Sequence, residues 1–208
     1  GAAGQRVRLP LQQMTLGRAH RELLGDYAQR NGFTRGLADK TRTEVADRLK
    51  RAILLKVGAK SFAEQAQIAA ALPMPVLFHV ADYLYGGFDR QYPDHLPPNP
   101  AMGTPEDFRR LIEACRANGH LFMLYTNPTW WCTNPKGPTF EREGEAPLSR
   151  DFDGKIYPES YGLSTTQGYT ICAWHPAVRA ANDVIRRQFT REYPVDVLFQ
   201  DQVGARGL

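Results

Sequence analysis

Cysteine is scarce in this chain of 208 residues: there are three, Cys115, Cys132 and Cys172, and no two stand in a Cys-x-x-Cys pair. Their spacing argues against structural zinc. No apolar run is long enough to cross a bilayer. The start, Gly1-Ala2-Ala3-Gly4, has no initiator Met and no charged-then-apolar signal, which reads as a trimmed or truncated N-terminus. There is no His-x-His or His-Glu-x-x-His spacing for a catalytic metal. Gly58-Ala59-Lys60-Ser61 looks like the end of a phosphate loop, but Leu54 stands where the earlier glycine belongs. No basic block exists either. The net charge is +4 and its cations are scattered through the N-terminal third, a solvated surface rather than a nucleic-acid footprint. Neither nucleic acid nor membrane is expected as a partner.

What is present is an ordinary globular composition, 42% hydrophobic and 23% charged. The length suits one domain or a large piece of a bigger one. Cys115 falls on a helical apolar stripe and reads as core. Cys132 and Cys172 flank one long loop and could pair if the protein is exported, so the compartment, cytoplasmic or exported, stays open.

Residues 1–15 read as irregular or strand-like and 16–31 as a helix closed by Asn31-Gly32. Thr43 to Lys50 suggests a second short helix, so 1–50 form an N-terminal segment ahead of a domain over 51–208. From Ile53 an alternation begins. Ile53–Val57 is a strand candidate, and Ser61 with Glu64 makes the capping-box pattern of a helix running to about Leu72. Pro75–Val80 is the next apolar run. Thr104-Pro105-Glu106-Asp107 opens a helix with Thr at the cap and acids at its positive end. Phe108, Leu111, Ile112 and Cys115 then lie on one face. The run His120–Tyr125 is a third strand, a helix spans about Pro176 to Glu192, and a fourth strand ends at Asp201. Buried strands alternating with helices predict a parallel sheet. The strand-to-helix loops are long (81–103 and 126–175) while the return turns are brief. Function therefore belongs at the carboxyl ends of the strands.

Those loops carry Asp82, Tyr83, Tyr85, Asp89, Tyr92, Asp94 and His95, then Asn127, Trp130 and Trp131. Adjacent Trp residues near a strand end suit the apolar face of a pyranose, and they equally suit the anchoring of a long loop. Carboxylates and amides would hold hydroxyls. Asp82 and Asp201 end their strands alike. A retaining glycosidase needs one carboxylate as nucleophile and another about 5–5.5 Å away as acid and base. Asp201 fits the nucleophile, and Asp82, two strands away, fits a hydroxyl-binding acid. A metal-dependent hydrolase built on His79, Asp82, His120 or His175 is the enzymatic rival, although His79 and His120 also read as packing residues.

A family pattern follows from these segments in order: Val80-Ala81-Asp82, Tyr92-Pro93-Asp94-His95-Leu96-Pro97, Asn118-Gly119-His120-Leu121, Tyr125-Thr126-Asn127-Pro128, Trp174-His175-Pro176 and Asp196-Val197-Leu198-Phe199-Gln200-Asp201. The run from Pro75 to Arg206 resembles the N-terminal half of the (β/α)8 catalytic domain of α-galactosidase-like retaining glycoside hydrolases. Its nearest likeness is to an uncharacterised glycoside-hydrolase-like bacterial domain family. The resemblance implies a partial (β/α)8 barrel, about four strands of it, truncated at the C-terminus. It implies retaining hydrolysis of an α-linked glycoside without a cofactor or metal. Asp201 would be the nucleophile, with Asp82, Asp89, Tyr125 and Asn127 on hydroxyls and Trp130 and Trp131 as a platform. Gln202 and Arg206 would line the pocket. The acid/base would come from a later strand, so this piece alone would be inactive. The missing half of the barrel, or self-association across open edges, would complete it. The chain departs from the pattern at Phe199, where these enzymes often place a basic residue, and in having no second acid beside Asp82. A barrel that binds carbohydrate without catalysis is the alternative.

Overall fold

A computed structural model describes residues 19–58, 60–160 and 167–203, and the chain divides into two compact units, through Ala46 and from Asp47 onward. The first unit contains α1 (His20–Arg30), α2 (Leu37–Lys40) and the start of α3 (Thr43–Arg51). Asn31 and Gly32 close α1 as expected, Gly32 taking the left-handed φ of +71° that a side chain would resist. The segment 1–15, read as irregular or strand-like, lies outside the described residues.

In the second unit four strands, β1 (Ile53–Lys56), β2 (Val76–Val80), β3 (Leu121–Thr126) and β7 (Val197–Gln200), form one parallel sheet in the order β1-β2-β3-β7. Between them run α4 (Phe62–Ala71), α5 (Pro105–Ala117) and α7 (Pro176–Arg187), the last continuing as a π-helical turn over Gln188–Glu192. This is the alternation of a partial (β/α)8 barrel. The two central strands are the buried ones: every residue of β3 is buried, and all of β2 except Leu77. The edge strands β1 and β7 have no buried residue, since each has a neighbour on one side only.

Local chemistry sets the helix starts. Ser61 accepts from the Glu64 amide while the Glu64 carboxylate accepts from the Ser61 amide, and Thr104 and Asp107 do the same for α5. Phe108, Leu111, Ile112 and Cys115 are all buried. Phe108 packs on Phe62 at 4.8 Å between ring centres and stacks on Tyr83 at 5.6 Å, joining α4, α5 and the loop after β2 in one core.

The segment after β3, expected as a long loop, is structured. It holds a second sheet in which β4 (Trp130–Asn134) and β5 (Glu159–Ser160) flank β6 (Gln167–Thr170), all antiparallel, and a short helix α6 (Pro138–Glu143). Trp131, Phe140, Leu148 and Ile171 form its own small core with Val178 of α7, which fastens the excursion to the helix that follows it. The irregular, short strands carry too little period-two alternation to announce themselves in sequence. Cys132 and Cys172 are both free; Cys132 is buried and Cys172 exposed, so the pairing considered above is not made.

His120 is a latch between helix and sheet. Its Nδ1 accepts from the Val76 amide at 3.1 Å, which makes it the neutral tautomer that donates from Nε2 to the Ala69 carbonyl at 2.8 Å. Replacing it with Leu strands a buried N–H and a buried C=O, a loss of about 2–4 kcal/mol. Urea unfolding of His120→Leu should show a lower midpoint at unchanged slope; an unaltered midpoint would refute the latch. His95 is fully buried in a box of Tyr83, Tyr92 and Phe189. Burial pushes its imidazole down to about 4, with the Pro93 carbonyl opposing. The unfolded chain therefore binds a proton that the fold refuses, and stability falls as pH drops from about 6.5 toward about 4. His95→Phe should flatten that slope by up to about 1.4 kcal/mol per pH unit. Denaturant melts of both proteins at pH 7 and pH 5 test it, and parallel slopes would contradict it.

Candidate active site

The carboxyl ends of β3 and β7 meet at Tyr125, Phe199 and Asp201. Tyr125 and Phe199 are partners in the parallel register and their rings stack at 5.8 Å, 19° apart. One residue beyond β7, the Asp201 amide donates to the Thr126 carbonyl at 2.8 Å, which extends the pairing far enough to fix where the carboxylate emerges. Asp201 then receives two donors. The Tyr125 hydroxyl reaches Oδ2 at 2.8 Å, and the Gln202 amide reaches Oδ1 at 2.9 Å. Gln202 makes that bond from a left-handed φ of +64°.

Asp89 comes to the same hydroxyl from the loop after β2. Its Oδ2 stands 3.3 Å from Tyr125 Oη. The backbone that delivers it is tightly turned, with Asp89 at φ +51°, Gln91 at +61°, and Gly86 and Gly87 at +76° and +109°. Burial raises the Asp89 carboxyl above its usual range and the Asp201 charge adds to this, while the Tyr92 and Tyr125 hydroxyls oppose it. Burial raises the Tyr125 hydroxyl too, reinforced by its bond to Asp201, so it remains a donor.

The aromatic surface beside Asp201 is made by phenylalanines. Phe88 lies 4.8 Å from Tyr125 and is 44% exposed, and Phe199 is 45% exposed. Lys56 sits over the Phe88 ring at 5.8 Å. Trp130 and Trp131, expected as a platform, are 1% and 2% exposed, one in each core, and both border a cavity of about 410 Å³. Two indoles beside a strand end are matched by Gly168, where a side chain would run into the Trp131 carbonyl and the Trp130 ring. They anchor the excursion, which is the other reading the sequence allowed. No periodicity marks Phe88 or Phe199, although both stand within two residues of an acid that reaches Tyr125.

Asn127 stands apart from Asp201, with its side-chain Nδ2 buried and unpartnered. Its side-chain Oδ1 accepts from the Thr129 amide and hydroxyl, and its backbone amide donates to the Tyr92 hydroxyl. It lines the same cavity of about 410 Å³ on the helix side of the sheet with Tyr92, Leu198 and Phe189, not the group around Asp201. Asp82 follows β2, half-buried, its carboxylate beside Gly58 and its carbonyl accepting from Asn99. Arg206 lies outside the described residues.

The metal alternative does not assemble. His120 is committed to two backbone groups, and His175 caps α7 by accepting from the Ala177 amide at 3.3 Å. His79 is buried on β2, 5.9 Å from Phe199, and burial lowers its pKa. Among the described residues no three of His, Cys, Asp and Glu gather into a set that could hold a metal. No helix among them is long and apolar enough to cross a membrane.

Comparison with known proteins agrees with this architecture. The α-N-acetylgalactosaminidase NagBb from Bifidobacterium bifidum, in complex with Gal-NHAc-DNJ, superposes with a TM-score of 0.65 at 21% identity over 82% of this chain and 30% of its own. The maltogenic α-amylase AmyB from Thermotoga neapolitana gives 0.57 at 13% identity over 77% of this chain and 41% of its own. TtGalA, the α-galactosidase from Thermus thermophilus, gives 0.53 at 19% over 71% and 30%. At such identities the likeness is one of fold, and this chain spans about a third of the length of the α-N-acetylgalactosaminidase. A search of curated proteins by sequence finds no match. The fold is that of part of a (β/α)8 barrel, as in these enzymes. The model of the family described as Domain of unknown function (DUF6259) matches residues 26–207, and the chain belongs to that family.

Proposed function

We propose that the protein containing this chain hydrolyses an α-linked glycoside with retention, and that Asp201 is its nucleophile. The observation that carries this reading is Asp201 itself: a carboxylate at the carboxyl end of a parallel strand, held by two donors beside exposed aromatic rings. Two hydrogen bonds to its oxygens hold it aimed, which is what attack on an anomeric carbon requires. The neighbours in fold include enzymes named for α-linked N-acetylgalactosamine and galactose, which supports a carbohydrate as substrate.

In the first step Asp201 Oδ would bond the anomeric carbon as the leaving oxygen departs with a proton from a general acid. In the second, water would displace the carboxylate, with the same residue acting as base. That residue belongs to a strand outside this chain. Phe88 and Phe199 offer flat apolar surface for one sugar face, in place of the Trp pair. Asp82, at the equivalent end of β2, takes a hydroxyl. Gln202, whose backbone holds Asp201, directs its own side chain from the same turn, and Arg206 follows four residues on. The remaining strands close the exposed edges of β1 and β7, whether they come from the same chain or from a second copy.

Asp201→Asn in the full-length protein should lower kcat on a panel of aryl α-glycosides by about 10³-fold or more with folding intact. Undiminished turnover would remove Asp201 from the chemistry. Sugar binding with no turnover in the unaltered protein would favour the non-catalytic barrel.

A further inference from the structure

Tyr125 poses a proton-counting problem. Its hydroxyl has one hydrogen, yet two carboxylates face it, Asp201 at 2.8 Å and Asp89 at 3.3 Å. If both acids were ionised, one would point a charged oxygen at another oxygen with no proton between them. The surroundings decide which acid gives way. Asp201 has a second donor in the Gln202 amide. Asp89 has no amide donor: its Oδ1 is buried without a hydrogen bond, and the nearby Tyr92 hydroxyl offsets part of the effect of burial but leaves the carboxyl raised. A buried charge with an empty oxygen is the costlier of the two.

We propose that Asp89 is a neutral carboxylic acid that donates its proton to Tyr125, which commits the Tyr125 hydrogen to Asp201. The chain runs from the Asp89 O–H to Tyr125 Oη and from the Tyr125 O–H to Asp201 Oδ2. Asp89 is then a positioning residue, acting on the nucleophile through Tyr125, and not a hydroxyl ligand of the sugar. The assignment deepens the reading of Asp201 as nucleophile and rests on it for its functional meaning, although the proton arrangement stands apart from any activity.

The groups around Asp89 are consistent with one neutral member. From its own loop come Tyr92 and the adjacent, exposed Arg90; from β3 comes Tyr125; from the end of β7 comes Asp201. Cys132 of β4 directs its thiol to the Asp89 carbonyl at 3.5 Å, and burial pushes that thiol up to about 12, so it adds no charge. Lys56 of β1 is placed over Phe88. The turned loop, with φ +51° at Asp89 itself, keeps the acid at this hydroxyl, and Asp tolerates that conformation better than most residues. When pH rises far enough to ionise Asp89, it becomes a second acceptor for the one hydrogen, and Asp201 loses its undivided donor.

Infrared spectra of the full-length protein across a pH series, taken beside Asp82→Asn, Asp89→Asn, Asp201→Asn and Tyr125→Phe, test this without requiring any substrate. The protonated-carboxyl C=O component removed by Asp89→Asn should persist to higher pH than those removed by Asp82→Asn and Asp201→Asn. In Tyr125→Phe the same component should shift toward the frequency of a carboxyl whose O–H has no acceptor. An Asp89 component that disappears with or before that of Asp201, or that Tyr125→Phe leaves unmoved, would overturn the proposal. Inactivity of the unaltered protein would instead count against the nucleophile reading and leave these spectra as they are.

Discussion

Two parallel neighbours cannot be joined by a tight turn, because the chain must travel back along the sheet before it can enter the next strand in the same sense. Between β3 and β7 that return carries a whole antiparallel sheet, a short helix, α7 and its π-helical end. The pairing of β3 with β7 is what makes the journey useful. It sets Tyr125 opposite Phe199 and lets the Asp201 amide bond the Thr126 carbonyl, so a residue remote in sequence lands on the Tyr125 hydroxyl. A shift of one residue would turn Asp201 to the helix side and separate it from Tyr125.

Much of this could be seen beforehand. The capping boxes at Ser61 and Thr104, the apolar face of α5 and the four strand cores depend on local periodicity and end signals, and those are written in adjacent residues. Asp201 was visible for the same reason, as an acid where an apolar run stops. The excursion was not. Its strands are two to five residues long, and their faces are completed by contacts far along the chain, such as Trp131 with Val178. The Trp pair suggested sugar binding by residue type, but burial is a property of the surroundings, and Gly168 is the small residue that lets them be buried. Asp89 was found as an acid in the right loop. Its relation to Tyr125 could not be read, since nothing local specifies a bond across 36 positions.

The histidines make a complementary point. Three of them, His79, His120 and His175, stood near element ends and could be imagined around a metal with Asp82. Two have other occupations, a latch at His120 and a helix cap at His175, and His95 sits in an aromatic box. His79 alone faces the Phe199 side, and burial favours its neutral form. Among the described residues, the polar groups that meet at the ends of β3 and β7 are the Asp89 and Asp201 carboxyls and the Tyr125 hydroxyl. A fold shared with α-glycosidases at TM-scores of 0.53 to 0.65 gives that chemistry a setting without assigning its sugar.

Covalent trapping tests the central claim most directly. The full-length protein is incubated with activated α-glycosides fluorinated to stall the second step, and the labelled peptide is identified by mass spectrometry. A glycosyl adduct on Asp201 is the predicted result. Turnover that leaves Asp201 unmodified while another carboxylate carries the sugar would contradict the account.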